Sequence, residues 1–388
     1  MAPPLMLTGD LATDIINQAQ RVIDMDDKIA ELEPSASPLV VLLKKLRRVQ
    51  AISPKVEWLE NQLMPRYSNL SAAAASGATA LPTGVSSSYF RVGDLVRDTT
   101  TGEAMEVTAV SASGIGVNRG IGAISAQAIA SGDELFIVSN VNAEGASLRT
   151  IKTVQLQNLN NFCEIVRTPL GITGTEAASK LYGGPDRNRL QALAAIEHMR
   201  DWEHISFFGA RKEAVPPDPI AVAGAPRRFA GGLQEYIQTN VTTGVATLTE
   251  TAFQTFLRTG FRYGSSRKIL FAGPLVVTAI EGFARNTLRA TPSSDHANTY
   301  GVQMSTYVSG QGIVDIVMEK AWLDSRTYNG MAFLVDMDAA EWHYLRDTKL
   351  LENRQANDAD KLEDEYLTEA CPVFKNEQKH ALLKGVTG

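Results

Sequence analysis

Asp336 and Asp338 flank Met337 after the apolar run "MAFLV", a spacing that can bring two carboxylates to one divalent cation. A denser acidic cluster follows at Asp358, Asp360, Glu363, Asp364 and Glu365. It departs from a calcium-loop pattern because Leu362 stands at the fifth position and the glycine is missing, so it reads as a solvated acidic loop. His198 and His204 lie six apart on an expected helix. That spacing sets the rings about 120° apart instead of stacking them at i and i+4, as two zinc ligands require. They read as ordinary surface or interface histidines. Ser265-x-x-Lys268 has the spacing of a serine–lysine dyad, but the lysine leads into the strand-like "ILFAG" instead of a helix. Ser294, Asp295 and His296 are adjacent in sequence, which is not how a triad assembles.

The glycines at 114, 116, 120 and 122 resemble a phosphate loop only at first glance. Arg119 occupies the position where a dinucleotide fingerprint needs its last glycine, and no helix pattern follows to aim a dipole at a phosphate. Glycines that let a strand turn sharply account for the cluster better. No G-x-x-x-x-G-K-[ST] or G-x-S-x-G occurs. The sequence thus assigns no catalytic, cofactor-binding or metal-binding residue and implies no cofactor. The expectation is a chain that is not an enzyme, with a metal-dependent hydrolase using the Asp336/Asp338 pair or the acidic cluster as an alternative.

The elements that carry these residues follow from pattern and punctuation. The first 55 residues read as amphipathic helix, broken by Pro34 and Pro38 and ending in the basic run Lys44, Lys45, Arg47, Arg48, which reads as a solvated or partner-facing flank. The tract Ser71 to Ala80 is rich in alanine, serine and glycine. With nothing large to bury it reads as an extended arm without a core of its own. Gly93-Asp94, Thr101-Gly102 and Gly132-Asp133 punctuate short β-rich runs from Phe90 to Val141. Residues 151 to 172 read as one or two polar-alternating strands.

The strongest helix signal runs from 186 to 208, about 35 Å long, with Pro185 at its start and Gly209 at its end. Its apolar residues, Leu190, Leu193, Ile196, Met199, Trp202, Ile205 and Phe208, recur every three positions, so the stripe should wind around the helix. The proline-rich stretch from 214 to 226 marks a boundary. Thr247 and Glu250 have capping-box spacing for a helix to about Phe261. "RKILFAG" reads as a strand, Pro274 opens a helix to about Leu288, residues 304 to 318 read as a hairpin around Ser309 to Gly312, and "MAFLVD" as a strand. The end of the chain reads as a hairpin turning at Lys375 to Gln378.

The bulk numbers agree with a globular protein of two or three domains: 388 residues, 44% hydrophobic, 21% charged. A net charge of −6 excludes a uniformly basic nucleic-acid reader. Two cysteines, 208 positions apart, make no disulfide framework and fit a reducing compartment. "ILFAGPLVVTAI", interrupted by Gly273-Pro274, is too short to span a bilayer, and the N-terminus has no signal-peptide pattern, so a membrane partner is not expected.

Taken in order, the segments resemble the major capsid proteins of tailed bacteriophages, the Hong Kong ninety-seven type, and within them the branch with a small β domain inserted in the extended loop. "PSASPLVVLLKKL" and "EWLENQL" resemble the arm and the loop entry. "FRVGDLVRD" and "VNRGIGAISAQAIASGDELFIVSNVNAEGA" resemble the inserted module. "GITGTEAA" and "RLQALAAIEHMRDWEHISFFGA" resemble the lead-in and spine helix. "RRFAGGLQEYIQTNV", "LTETAFQTFL", "GIVDIVMEKAW", "AFLVDMDAAEWHYLRD" and "CPVFKNEQKHALLKGV" resemble the axial domain and the return to the periphery. The likeness covers roughly residues 25 to 388.

It implies an α+β fold: an N-terminal arm (1–55), an extended loop (56–150) carrying a β-barrel-like insertion (about 90–141), a peripheral domain (151–225) with spine helix 186–208, an axial domain (226–339) and a peripheral return (340–388). It implies self-assembly as hexamers and pentamers into an icosahedral shell around packaged double-stranded DNA. It also implies portal and scaffold or decoration partners, non-specific contact with DNA, assembly in the bacterial host cytoplasm, and residence in the virion. The main alternative from the residues is an adhesive or tail-type virion protein with the β module as its head.

Overall fold

A computed structural model describes residues 37–145, 151–179, 186–214, 225–287, 290–291, 305–322 and 325–387. The helix expected before Pro38, Pro185, most of the proline-rich boundary and the Ser294–His296 run lie outside these residues. The chain divides into two compact units, Met1–Trp58 with Asn160–Gly388, and Leu59–Leu159.

The larger unit is built mainly on a four-stranded and a seven-stranded sheet. In the four-stranded sheet, Arg48–Gln50 pairs in parallel with Ala340–Leu351, which pairs antiparallel with Lys361–Phe374, followed by Glu164–Thr173. The long helix Asp186–Phe208 packs on this sheet, and its start and end agree with the sequence reading. The short helix Pro38–Leu46 buries Leu39, Val40, Leu42 and Leu43 in the same core, beside Trp202, Phe207, Trp342 and Phe374.

The buried face of the long helix differs from the apolar stripe read in the sequence. Ala194, His198, Trp202, Glu203, Ser206 and Phe207 are buried, whereas Leu190, Leu193, Ile196, Ile205 and Phe208 are only half-buried. Steps of four keep these residues on one face, so the helix presents a single side inward. Hydropathy misses that side because three of its members are polar and make internal hydrogen bonds.

The seven-stranded sheet runs in the order Val241–Thr242, Ala381–Leu383, Ala332–Val335, Arg267–Ala272, Gly312–Met318, Ser305–Ser309, Ala290–Thr291. Helices Glu250–Gly260 and Pro274–Thr287 supply Phe253, Phe256, Leu257, Val276 and Ile280 to its core. The first of these is capped by Thr249, whose hydroxyl accepts from the Ala252 N–H at 3.3 Å. The cap expected at Thr247 is thus displaced by two residues. The hairpin at Ser309 to Gly312 forms as read. The terminal hairpin does not: Lys361–Phe374 belongs to the four-stranded sheet and Ala381–Leu383 to the seven-stranded one. The chain does turn near Asn376, which takes a left-handed φ of 56°, but it turns to change sheets.

In the smaller unit, six strands run in the order Tyr67–Asn69, Glu134–Asn140, Asp94–Asp98, Ala104–Val110, Ile115–Asn118, Ala80–Leu81. Two of them precede Phe90. Leu70, Ala74 and Leu81 are buried with Phe90, Val96, Met105, Val107 and Leu135. Of the small-residue tract itself only Ala74 is buried, with Ala78 packed beside it; the rest is exposed, and the tract is anchored to the core by Leu70 and Leu81 at its two ends. Ala74 exchanges backbone hydrogen bonds with Ile129, each at 2.9 Å, and small side chains allow that close approach.

Candidate functional site

A pair of deeply buried carboxylates lies in the larger unit, where the long helix meets the short N-terminal one. Pro38 opens Pro38–Leu46, and its N-cap residue Ser37 makes no side-chain capping bond. The first-turn N–H groups need another acceptor. Glu203 supplies it: its two carboxylate oxygens accept from the Leu39 and Val40 N–H groups, each at 2.8 Å. The negative charge also suits the positive end of the helix. Glu319, at the end of strand Gly312–Met318, hydrogen-bonds to Glu203, and both are buried. Burial raises Glu203 to about 7, against the lowering effect of the two N–H groups and Glu319. Burial and the Glu203 charge raise Glu319 further, so Glu319 holds the proton and donates it to the Glu203 carboxylate.

The residues singled out for chemistry are placed in separate structural roles. Asp336 is buried and accepts from the Ser265 N–H at 2.9 Å and the Asp338 N–H at 3.1 Å, while Asp338 points out beside Arg47. The two carboxylates do not converge. Lys268 Nζ donates to the carbonyls of Gly260, Tyr263 and Lys379, and Ser265 Oγ accepts from the Arg267 N–H at 3.2 Å, so serine and lysine form no dyad. Burial lowers Lys268 to about 8.

His198 is fully buried, between the hydroxyls of Thr168 (2.9 Å) and Thr368 (2.7 Å). This corrects its reading as a surface histidine. Burial lowers it to about 4, with Lys44 adding to the effect, so the ring is neutral and bridges two strands. His204 is half-buried on the same helix.

The acidic cluster is also not a solvated loop throughout. Glu363, Asp364 and Glu365 lie in strand Lys361–Phe374. Asp364 is buried, and the Arg187 guanidinium, held at 2.7 and 2.8 Å, keeps its carboxyl at about 2, with help from the Asn353 N–H and Gln191. Asp358 and Asp360 remain exposed. Among the described residues, no group of three or more His, Cys, Asp or Glu side chains is arranged to hold a metal ion.

In the smaller unit Arg119, the residue that breaks the glycine motif, is the hub of the fold. Its guanidinium meets the fully buried Glu103 at 2.7 and 2.8 Å and also donates to the carbonyls of Ala75, Ala78 and Gln127. Glu103 accepts two further bonds from the Gly120 and Gln127 N–H groups. Burial acts to raise Glu103, but Arg119 and these N–H groups more than offset it and hold the carboxyl low. Gly120 and Gly122 take φ of 68° and 104°, left-handed values that glycine adopts freely. The loop wraps a protein guanidinium instead of a phosphate.

The segments at the two ends of this unit expose large apolar side chains: Leu59 (65%), Leu63 (92%), Ile151 (80%) and Leu156 (53%). These four fall within two short segments of the chain. Sequence reasoning missed both carboxylate clusters. Glu103 and Arg119 are 16 residues apart and Glu203 and Glu319 are 116 apart, and neither separation falls on a helical or strand repeat. Among the described residues, no helix is long and apolar enough to cross a membrane.

A structure of the cyanophage A-1(L) capsid asymmetric unit superposes with a TM-score of 0.52 at 9% identity, covering 97% of this chain and all of that one. The capsid of a native GTA particle gives 0.50 at 7% identity, covering 95% and 96%. At such identities the likeness establishes the fold, which is the expected α+β capsid fold. The major capsid protein of Pseudomonas phage PaMx41 is 31% identical over 141 residues, a stretch spanning 36% of this chain and only 34% of that relative. The model of the SU10 major capsid protein family matches residues 8–387, and with that span the chain belongs to this family of major capsid proteins.

Proposed function

We propose that the chain is a shell subunit that assembles with copies of itself, as hexamers and pentamers, into an icosahedral virion shell around packaged double-stranded DNA. The family match over residues 8–387 carries this reading. The exposed apolar residues at the ends of the smaller unit support it, since repeated copies can cover the same patch on every subunit. In this reading, residues 56–150 are the extended loop with its inserted module, Asp186–Phe208 is the spine helix of a peripheral domain completed by 340–388, and 226–339 form the axial domain.

The subunit acts structurally, without catalysis. Asp336, Asp364, Lys268 and His198 are engaged in backbone or side-chain bonds that hold elements together. Contact with DNA is non-specific, and a net charge of −6 leaves little counterion release to drive tight binding. Portal and scaffold or decoration proteins would complete the particle, which would form in the bacterial host cytoplasm.

The test is the purified chain, expressed alone, followed by size-exclusion chromatography and negative-stain electron microscopy. Closed hollow particles, or rings of five and six, are expected. A strict monomer at high concentration overturns the proposal, and fibres or trimers would favour a tail-type role.

A further inference from the structure

Cys163 and Cys371 are both buried and both free thiols, with their sulfurs 3.6 Å apart. Cys163 sits between strands Gln157–Phe162 and Glu164–Thr173, where the chain has just re-entered the larger unit. The antiparallel register pairs Glu164 with Ala370, and one further step sets Cys163 opposite Cys371. Neighbouring bonds hold both backbones. The Cys163 N–H donates to Pro54 O at 2.7 Å, and Asn161 Nδ2 donates to Pro372 O at 2.6 Å and Gly231 O at 3.0 Å. A disulfide needs its sulfurs about 2 Å apart, so an approach of roughly 1.5 Å, largely by side-chain rotation, closes it.

We propose that Cys163 and Cys371 are a modification site at which hydrogen peroxide forms an intramolecular disulfide in the folded chain. One sulfur attacks the peroxide, the O–O bond breaks, and a sulfenic acid and one water result. The second sulfur attacks the sulfenic sulfur: the S–S bond forms, the S–O bond breaks, and a second water leaves with the thiol's proton. Two thiols and one peroxide thus yield one disulfide and two waters. The oxidant class follows from the site. A small peroxide can reach a buried pair, whereas a bulky disulfide would have to leave a mixed disulfide in a packed sheet. The Cys163 contact and burial together push the Cys371 thiol well above its usual value, so the reaction is slow and speeds up with rising pH. The bond would pin the returning strand to Lys361–Phe374 across 208 positions of sequence, a long loop whose closure restricts the unfolded chain. The proposed shell role supplies only the setting, a particle leaving a reducing cytoplasm, and the chemistry can be tested on the chain without it.

The experiment treats the purified full chain with hydrogen peroxide, quenches, denatures, alkylates with iodoacetamide, and maps peptides by mass spectrometry. The expected product is about 2 Da lighter than the reduced chain. It resists alkylation, carries a peptide linking Cys163 to Cys371, and reverts on reduction. Cys163→Ala and, separately, Cys371→Ala should each leave the remaining cysteine unlinked. The proposal is overturned if both cysteines of the folded chain remain fully alkylatable, if they oxidise singly to sulfinic acid, or if the link joins different chains.

Discussion

At pH values where an exposed glutamate is ionised, Glu319 keeps its proton, because burial and the Glu203 charge both oppose its loss. In the unfolded chain both groups ionise at their ordinary value of 4.5. Between that value and the raised folded ones, the folded chain binds more protons than the unfolded chain. The stability these groups allow is therefore fully present below 4.5 and is lost as pH rises, with Glu203 itself titrating at about 7. For Glu203 alone the gap corresponds to roughly 3 kcal/mol across that window. Glu319→Gln keeps a donor for the Glu203 carboxylate without a proton to lose. Urea unfolding should show the variant more stable than the parent at pH 8, with the difference shrinking as pH falls and vanishing near pH 4.5. A difference independent of pH would mean that the pair does not share a proton as described.

Elements are held by such clusters as much as by apolar faces, and the β sheet of the smaller unit shows how strongly. Arg119→Ala should leave Glu103 buried without its cation and cost about 3–5 kcal/mol. Hydrogen exchange should then rise across the strands between Tyr67 and Asn140 while the larger unit stays protected. Adding Glu103→Met to Arg119→Met should restore much of that protection, since the uncompensated charge is gone. If the double variant proves no better than Arg119→Ala, the pair is not the hub.

The same contrast explains what the sequence could reveal. The long helix, the strand Arg267–Ala272 and the hairpin at Ser309–Gly312 were legible because local propensity and punctuation settle them. The inward face of the long helix was not, because His198, Glu203 and Ser206 become core residues only through partners that come from far along the chain. Nor was the change of sheet near Asn376 legible, because either pairing satisfies the same local alternation. The candidate site was hardly legible: Glu203 and Glu319 come from distant stretches of the chain, and no local spacing gives a sign of the carboxylate pair.

For the whole molecule, the decisive feature is that Leu59–Leu159 forms a compact unit with its own core while its two ends expose Leu59, Leu63, Ile151 and Leu156. About 100 residues suffice for an independent core. Here Phe90, Val96, Met105 and Leu135 are sealed completely, and Lys152 Nζ ties the returning segment back to Ser88 O at 2.8 Å. Burying the exposed leucines and isoleucine would be worth roughly 1.5–3 kcal/mol each, but among the described residues they stay exposed. A fragment spanning 59–159 should therefore fold cooperatively, with slow amide exchange from about Tyr67 to Asn140 and fast exchange over 59–66 and 151–156. In assembled particles of the full chain, those two end segments should become protected while the strand core changes little. A fragment that stays unfolded would show that the unit depends on neighbouring copies for its core as well as its ends. End segments that exchange equally fast in particle and fragment would show that assembly covers some other surface.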